Sequence, residues 1–595
     1  MLYNSYMRDL FKYLKPYKNK FIFSIIFMLG FAILSSLSLS LISPFLQSIF
    51  YEKSALGGAD ILNRFTNWIL IGSKWNAIIR LQIVLVSVFL LKGVFGYFHR
   101  YLAVATEEGA IQNIRRDMIE HIYSLSLDYF HRTKSGAWVS RVTNDIGRIE
   151  RSVRNGLLGI IRQILLILAY FCLAVYLSWQ LLAVTVVIFP LITKLVNFLG
   201  KRLRERSDTV QENIGDVTSQ FSEGLSGIKI VKAFAMEKKE TEKVLHSSRK
   251  YFKSRIRFER IGLVGTPLSE LIIAVGICAV ISYGVYQVFN QFITPDRFIV
   301  FLACVISMMD PLKRIPGANV NLQQGIQAMN RIKRVLSLMP TVVEDANPVR
   351  LFEFKDSMVF KDVSFSYNGG ENVIRGINLK INKGQSIALV GPSGAGKSTI
   401  ADLLMRFYDP TSGYIEVDGV DIRKIRIKDL RKRIGLVTQE PFLFNDTVSN
   451  NITYGEDTGV EDRIKLCAKL ANADEFIEKL PDGYETMVGE RGVTLSGGER
   501  QRIAIARALY SNPDILIFDE ATSHLDQMSE KKVQDAIQKV LMGRTALVIA
   551  HRLSTVKDCT RIVVIDEGMI VEEGTHEQLM KRNGLYRKLV ERGLE

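Results

Sequence analysis

Residues 21–50 form a run of thirty amino acids without a single ionisable side chain. A helix of this length can cross the hydrocarbon core of a bilayer with some tilt. Lipid offers no hydrogen-bond partners to the backbone, so such a segment folds as an α-helix whose N–H and C=O groups bond to one another. The run therefore predicts that the chain begins with a helical membrane domain.

Five more apolar runs follow, and with the first they predict six membrane-spanning helices. The five cover residues 81–97, 157–178, 181–193, 271–289 and 298–319. Two long charged stretches with helical periodicity, residues 107–154 and 201–260, lie between them. Because the second of these is rich in Lys and Arg, the positive-inside bias places both stretches and both termini in the cytoplasm. We expect a multi-pass protein of the inner (plasma) membrane.

Charge and cysteine content narrow the possible classes of protein. The net charge of +16 could indicate nucleic acid as a partner, but the excess of cations lies largely in the cytoplasmic stretches, where it signals topology. We therefore expect no nucleic-acid partner. The five cysteines are dispersed, without C-x-x-C or metal-ligand spacing, which indicates reduced apolar residues and not a disulfide framework.

The hydropathy pattern divides the chain into four parts. Residues 1–20 are basic and amphipathic, which is typical of a short helix on the cytoplasmic membrane surface. Residues 21–336 are the predicted membrane domain, and residues 337–353, with two prolines and several acids, are a linker. In residues 354–595, short β-branched strands alternate with helices, which predicts a cytoplasmic α/β domain.

Each long cytoplasmic stretch is interrupted near its middle. Residues 127–138 (LDYFHRTKSGAW) are aromatic and basic with one glycine, and residues 223–233 (EGLSGIKIVKA) are their counterpart. We interpret both as short transverse helices at the far ends of two helical hairpins. Solvated loops are the alternative.

The sequence GPSGAGKST at residues 391–399 fits G-x-x-x-x-G-K-[ST] and stands between an apolar strand and a helical run. In such a loop, backbone N–H groups turn inward around a β-phosphate, the lysine reaches the β- and γ-phosphates, and a hydroxyl binds Mg²⁺. The motif predicts a nucleoside triphosphate site, with Ser398 as the metal ligand. Its members are Gly391, Pro392, Ser393, Gly394, Ala395, Gly396, Lys397, Ser398 and Thr399.

Five further motifs have the order and spacing of an ATP-binding cassette. They are Tyr367 in VSFSYNG, Gln439 in LVTQEPFLF, LSGGE at 495–499, ILIFDE at 515–520 and His551 in IAHRLST. With them the whole chain resembles the ABC transporters of the exporter type, in which a six-span domain is fused to one cassette. The fold class implied is a membrane all-α six-helix domain followed by an α/β P-loop NTPase cassette.

The resemblance implies a role for each motif, with ATP and Mg²⁺ as cofactors. Tyr367 would stack on adenine, and Gln439 would touch Mg²⁺ and the attacking water. Asp519 would bind Mg²⁺, Glu520 would polarise the water as the catalytic base, and His551 would contact the γ-phosphate. The signature begins a helix whose positive end faces a γ-phosphate. Its nucleotide-binding members are Ser496, Gly497, Gly498 and Glu499, to which we add Asp526.

The family arrangement also implies the oligomer. Each LSGGE segment closes the ATP site of a second cassette, so a chain with one cassette is expected to work as a homodimer. A heterodimer with a degenerate partner is the alternative. The segment at 523–526 reads SHLD where the family usually has SALD. We interpret His524 as a tolerated polar substitution, with pH tuning of communication between the ATP sites as the other possibility.

In exporters of this family, the two short cytoplasmic helices transmit conformational changes between the membrane domain and the cassettes. The candidates here lie around Tyr129, Phe130 and Ile228. The resemblance implies that these helices dock against the segment after Gln439 and against residues 488–492.

Three cations stand at membrane depth, and ionisable residues there are costly enough to indicate function. They are Lys92, Arg162 and Lys313. Judged by neighbouring motifs, these positions resemble the basic ring with which the lipid A flippases of this family hold phosphorylated glucosamine. The alternative is structural, with Asp310 or Glu270 as an ion-pair partner or with snorkelling lysines. Asp310 departs from the basic residue expected beside such a ring.

The predicted function is ATP-driven export or flipping of an amphiphile, with a lipid such as lipid A as the substrate. Multidrug export of hydrophobic compounds on the same fold is the alternative. An ATP-gated channel would carry a degenerate ATP site and an added regulatory segment, and neither occurs. A peptide exporter with an attached protease would carry an additional N-terminal domain, so that class is disfavoured.

Overall fold

The computed structural model describes residues 2–50, 74–133, 135–454, 456, 459–519, 527–550 and 552–592. Contacts between Cα atoms divide the chain into two units. The membrane unit comprises Met1–Ile119 and Val139–Leu336, and the cassette unit comprises Glu120–Trp138 and Ser337–Glu595. The sequence-based boundaries, which stay predictions, assign residues 120–138 to the membrane domain instead.

Regular structure before residue 337 is helical throughout the described part of the chain. The helices are α1 (Leu2–Leu14), α2 (Lys18–Ser40), α3 (Ile42–Phe50), α4 (Lys74–Ser124), α5 (Leu127–Arg132), α6 (Ser135–Ser140), α7 (Ile146–Arg151), α8 (Leu158–Leu177), α9 (Trp179–Ser226), α10 (Ile228–Ala233), α11 (Glu237–Phe289) and α12 (Pro295–Leu336). Two π-helical segments, residues 141–145 and 152–157, join α6, α7 and α8. Both predicted interruptions are thus short helices, α5 and α10.

The apolar runs of the sequence lie on the long helices. Three described stretches are long and apolar enough to cross a membrane, and a shorter apolar segment covers Ala274–Phe289 on α11. The three stretches are Tyr6–Gln47, Trp75–Ser124 and Ser135–Leu177. Only Ser178, whose backbone is extended, separates α8 from α9, and its Oγ accepts a hydrogen bond from the backbone N–H of Leu181 at 3.3 Å. This N-cap allows one helix to end and the next to begin within a single residue.

The apolar face of the amphipathic helix α1 packs inside the membrane unit. Tyr6, Leu10 and Leu14 are buried there. The Tyr6 hydroxyl hydrogen-bonds Ser152 Oγ at 2.8 Å, and Asp9 forms an ion pair with Lys333. The basic side chains of the helix, and not its apolar face, are therefore left to meet a lipid surface.

The cassette unit contains two sheets. Their strands are β1 (Ser357–Ser366), β2 (Asn372–Asn382), β3 (Ser386–Val390), β4 (Ser412–Val417), β5 (Val420–Asp421), β6 (Ile434–Val437), β7 (Ile515–Asp519), β8 (Thr545–Ile549), β9 (Arg561–Asp566) and β10 (Met569–Gly574). Strands β2-β1-β4-β5 form an antiparallel sheet in that order, and β10-β9-β3-β8-β7-β6 form a sheet that is parallel except for its β10 edge.

The central strand β3 is buried on both faces of the larger sheet. Ala388 and Val390 belong to one apolar cluster, and Ile387 and Leu389 belong to another. A strand covered on both faces needs apolar residues at every position, which explains the unbroken run before the phosphate loop. The cassette helices are α13 (Lys397–Leu404), α14 (Ile427–Lys432), α15 (Val448–Ile452), α16 (Glu461–Leu470), α17 (Asp474–Ile477), α18 (Gly497–Tyr510), α19 (Gln527–Leu541), α20 (Leu553–Lys557), α21 (His576–Lys581) and α22 (Leu585–Glu591).

Candidate functional site

The phosphate loop leaves the carboxyl end of β3 and leads into α13, so its N–H groups gather at the helix N-terminus. Gly396 has φ +99°, and a Cβ there would lie 2.7 Å from Ile374 Cδ1. A Cβ at Gly391 would lie 2.0 Å from the carbonyl oxygen of Ile565. These two glycines are therefore required by backbone conformation and close packing.

Lys397 lies inside the loop that it serves. Its Nζ donates to the carbonyl oxygens of Gly391 at 2.8 Å and Pro392 at 2.9 Å, and the residue is buried. The two carbonyls hold the ammonium group within the turn. A point charge fixed in this place can meet phosphate oxygens held by the surrounding N–H groups.

Three predicted metal-site residues lie at the same edge of the larger sheet. Ser398 Oγ donates to Asp519 Oδ1 at 3.3 Å. Strands β6 and β7 are paired in parallel with Val437 opposite Phe518, so Gln439 follows one strand end while Asp519 ends the other. Burial raises the pKa of Asp402 to about 6, with the nearby charge of Asp519 as a second cause. Hydroxyl, amide and carboxylate oxygens are the ligands that Mg²⁺ takes.

Tyr367 lies directly beside the loop. Its hydroxyl hydrogen-bonds Thr399 Oγ1 at 3.1 Å, and burial raises the pKa of the phenol. The ring meets the ring of Tyr408 edge to face, with centroids 5.3 Å apart at 89°. An aromatic ring is thus held next to the phosphate-binding helix, where a nucleotide base could stack on it.

The signature segment opens α18 with a capping box. Ser496 Oγ accepts from the N–H of Glu499 at 3.3 Å, and Glu499 Oε2 accepts from the N–H of Ser496 at 2.8 Å. The side-chain hydrogen bonds described for these two residues join them to each other. Gly497 and Gly498 form the first turn, whose N–H groups begin the fourteen-residue helix.

Three other predicted residues, Glu520, Asp526 and His551, lie outside the described residues, as does His524. Their neighbours are described. Glu520 directly follows β7, and His551 comes two residues after β8. Strands β7 and β8 pair in parallel, as do β8 and β3, so the carboxyl ends of these three strands meet at the sheet edge that carries the phosphate loop.

A second site is a cavity of about 560 Å³ within the membrane unit. Four separate helical segments contribute cations to its lining. These side chains are Arg100 on α4, Arg154 in the π-helical segment 152–157, Arg162 on α8, and Lys313 and Arg314 on α12. Arg162 and Lys313 were predicted from the sequence. The structure therefore brings two of the three predicted cations into one cavity with three others.

Acidic neighbours neutralise some of these cations. Arg154 Nε donates to Glu107 at 2.8 Å, and Arg314 Nε donates to Asp310 at 2.9 Å. The ion pair described for Asp310 joins it to Arg314, one turn away on α12, and not to one of the three predicted cations. Among the residues that the structure describes, Arg100, Arg162 and Lys313 have no ion-pair partner.

Lys92 is not part of the cavity lining, but it shares an aromatic neighbour with Arg162. Lys92 Nζ and Arg162 Cζ each lie 5.6 Å from the centroid of the Phe31 ring. The cavity also contains His99, whose buried ring nitrogens have no hydrogen-bond partner in the described part of the chain, as is true of Arg162 Nε. Buried donors without partners are costly and suit a polar ligand.

Sequence reasoning missed several residues at these sites. Arg100 and Arg154 were not selected because each stands beside charged cytoplasmic sequence, where a cation is ordinary. Arg314 lies within the predicted span 298–319, next to Lys313, but was not selected with it. Tyr408 follows the phosphate-loop helix in MRFYDP without a recognisable motif. Arg100 lies about one helical turn beyond the apolar run 81–97, and extending that helix by a turn would have added it to the candidates.

Comparisons with known proteins agree with this architecture. The family model for the ABC transporter transmembrane region matches residues 25–312, and the ABC transporter model matches residues 374–523. The ATP-dependent lipid A-core flippase of Syntrophus aciditrophicus (strain SB) is 37% identical over 582 residues, which is 98% of this chain and 93% of that protein.

The chain belongs to the ABC transporter family. A protein of the same name from Desulfotalea psychrophila is 36% identical over 583 residues, covering 98% of each chain. A solved structure of a bacterial Atm1-family ABC exporter with ATP bound has a TM-score of 0.77 and 28% identity, covering 97% of this chain and 99% of that one. The predicted fold class is confirmed.

Family membership establishes the general activity of this ABC exporter. Its cassette binds ATP, and it is an ATP hydrolase coupled to transport through a membrane domain. With one membrane domain and one cassette, the chain is a half-transporter.

Proposed function

We propose that the chain is an ATP-driven flippase for a phosphorylated glycolipid of the lipid A class in the inner membrane, with both termini in the cytoplasm. Relatives that cover almost the whole chain are named ATP-dependent lipid A-core flippases. The observation that carries the proposal is the cavity that several helices line with cations. Cations at membrane depth suit a headgroup with negative charge, and apolar acyl chains can remain among the helices.

Within this proposal, Lys92, Arg162 and Lys313 contact the phosphorylated headgroup. Arg162 and Lys313 line the cavity, and Lys92 lies against the same Phe31 ring as Arg162. An arginine can bind phosphate with two parallel hydrogen bonds, whereas a lysine acts as a point charge. Arg162 is therefore the strongest single contact that we expect.

The test is ATPase activity of the purified protein in lipid nanodiscs, titrated with lipid A and separately with a cationic amphiphilic drug. The triple variant Lys92→Ala, Arg162→Ala, Lys313→Ala should need at least about ten times more lipid A for half-maximal stimulation. The matched control removes three exposed cassette cations, Lys355→Ala, Lys380→Ala, Lys428→Ala, and should respond to lipid A as the wild type does.

Multidrug export is the second candidate because acidic side chains lie next to the cations of the cavity. Glu107 and Asp310 lie close enough to the lining to pair with Arg154 and Arg314. If the drug stimulates the wild type and the triple variant equally and lipid A has no effect, the cations are structural and multidrug export replaces the lipid proposal.

At the nucleotide site, we propose that Mg²⁺ is held by Ser398, Gln439 and Asp519, and that Glu520 activates the attacking water. The hydroxyl of Ser398 and the carboxylate of Asp519 already lie 3.3 Å apart. The bound metal would neutralise charge on the phosphates. The phosphate loop, Tyr367 and Asp526 bind ATP, and His551 contacts its γ-phosphate. The signature residues of the second copy close the site.

We further propose that the working unit is a homodimer with a second copy of this chain. The tip formed by α10 and its flanks exposes Ile228, Ile230 and Phe234, and a pocket of about 290 Å³ opens beside them. The cassette exposes a stacked aromatic group that includes Phe444 and Tyr454. Exposed apolar surface of this kind is typical of an interface.

The homodimer is tested with Glu520→Gln, which should bind ATP without turning over and trap two ATP per dimer. Size-exclusion chromatography with multi-angle scattering and a nucleotide count would measure this state. Turnover of Glu520→Gln at the wild-type rate, or one ATP per trapped dimer, would contradict the proposal.

A further inference from the structure

The first short helix, α5, is attached to the linker of its own cassette at three points. The Tyr129 hydroxyl donates to the carbonyl oxygen of Met339 at 2.9 Å. The N–H of Val342 donates to Ser126 Oγ at 3.0 Å, and Thr341 Oγ1 donates to Asp128 at 3.3 Å. The sequence predicts that this helix contacts the segment after Gln439 and residues 488–492, whereas these three contacts are with the linker.

A fourth contact of α5 leads into the nucleotide site. His131 Nδ1 and the Tyr408 hydroxyl are 3.0 Å apart, within hydrogen-bond distance. Tyr408 is buried, and its ring packs against Phe365 and edge-on against Tyr367. Tyr367 in turn is bonded through its hydroxyl to Thr399 of the phosphate loop. A continuous set of contacts thus joins His131 to Thr399.

We infer that Tyr408 is a positioning residue through which α5 controls the ring of Tyr367 and so the binding of adenine. The inference rests on the proposed role of Tyr367 in stacking on the base. Tyr408 acts through the ring of Tyr367, on which it packs.

The physical basis is preorganisation. Tyr408 is fixed at its hydroxyl by His131 and along its ring by Phe365 and Tyr367. When the hydrogen bond to His131 is lost, the Tyr408 ring becomes more mobile, and it no longer fixes the orientation of the Tyr367 ring. Adenine must then order both rings on binding, so ATP binds more weakly. Linkage makes the effect reciprocal, and bound ATP therefore strengthens the attachment of α5.

The experiment compares two ligands in the full chain in nanodiscs without Mg²⁺, so that hydrolysis does not intervene. The affinity for ATP depends on contacts with both the base and the phosphates, whereas the affinity for inorganic tripolyphosphate depends on the phosphate loop alone. The variants are Tyr408→Phe, His131→Ala and the double variant. The matched control is Tyr586→Phe, which removes a buried hydroxyl that bonds His576 Nδ1 at 2.7 Å in the same cassette unit.

We expect Tyr408→Phe and His131→Ala each to raise the dissociation constant for ATP about three- to ten-fold, the loss of one hydrogen bond. Tripolyphosphate affinity should change less than about two-fold in both. The double variant should be no weaker than either single variant, because both remove the same contact. His131→Asn, which places an amide near the position of Nδ1, should recover much of the lost affinity.

Equal weakening of ATP and tripolyphosphate, additive effects in the double variant, or an effect as large in Tyr586→Phe would overturn the inference. Tyr367→Ala separates this result from the adenine assignment itself. If that variant weakens ATP but not tripolyphosphate while Tyr408→Phe has no effect, only the positioning role is wrong. If Tyr367→Ala leaves ATP affinity unchanged, the adenine role of Tyr367 in the proposed function is wrong as well.

Discussion

The nucleotide site takes its central parts from one continuous segment, residues 386–404, and completes them with residues at neighbouring strand ends. The cationic cavity takes its cations from four helical segments, with Arg100 and Arg314 more than two hundred residues apart. In the first site, local backbone geometry fixes the groups. In the second, side chains meet only because helices pack in one register. The two sites should therefore respond differently to the same kind of change.

The largest effect is expected from Lys397→Ala. The ammonium group is buried and held by two loop carbonyls, so its removal takes a fixed positive charge out of the phosphate loop. Phosphate release should fall by about a hundred-fold or more, as when one preorganised group is removed from an active site. Lys383→Ala, at an exposed cassette position, is the control. Wild-type turnover and ATP affinity in Lys397→Ala would contradict the phosphate-loop assignment.

The next prediction compares two glycines of the phosphate loop, one constrained by its backbone conformation alone and one constrained by packing as well. Gly394 and Gly396 both have positive φ, but a Cβ at Gly396 meets Ile374 at 2.7 Å, whereas a Cβ at Gly394 meets nothing within 4 Å. Strain of this kind costs about 1–3 kcal/mol. Gly396→Ala should weaken ATP binding roughly ten-fold and Gly394→Ala distinctly less, measured by ATP titration. Equal losses would mean that φ alone matters.

In the cavity, a single change should cost less because several cations share the ligand. Arg162→Ala should raise the lipid A concentration for half-maximal ATPase stimulation about five- to ten-fold, since a charged hydrogen bond contributes roughly 1.5–3 kcal/mol and its neighbours compensate in part. Arg162→Lys keeps the charge but loses bidentate geometry, and it should lie between wild type and Arg162→Ala. Full activity of Arg162→Ala towards lipid A would remove this residue from the site.

The smallest effect tests whether the acid beside the cavity restrains its charge. Asp310→Asn breaks the ion pair with Arg314, which is exposed and worth less than about 1 kcal/mol. Freeing Arg314 should increase apparent affinity for lipid A about two- to three-fold in the same nanodisc titration. A decrease would indicate that Asp310 orients Arg314 towards the ligand.

Much of the fold followed from the sequence because its signals are local. A charge-free run such as residues 21–50 can satisfy its backbone in lipid only as a helix, and α2 and α3 occupy it. The interruptions at 127–138 and 223–233 were likewise visible as short segments of different composition. The phosphate loop was predictable because its glycines are imposed by backbone geometry at adjacent positions.

The sequence determined which segments are helices or strands and which short motif binds phosphate, because hydropathy period and turn chemistry act over a few residues. Only the tertiary structure decided that Arg154 pairs with Glu107, that Asp310 pairs with Arg314, and that α5 reaches Tyr408. Contacts between residues far apart in the chain depend on how helices and sheets pack. No short-range pattern records that packing, which is why the cavity lining and the path from His131 to Thr399 emerged only in three dimensions.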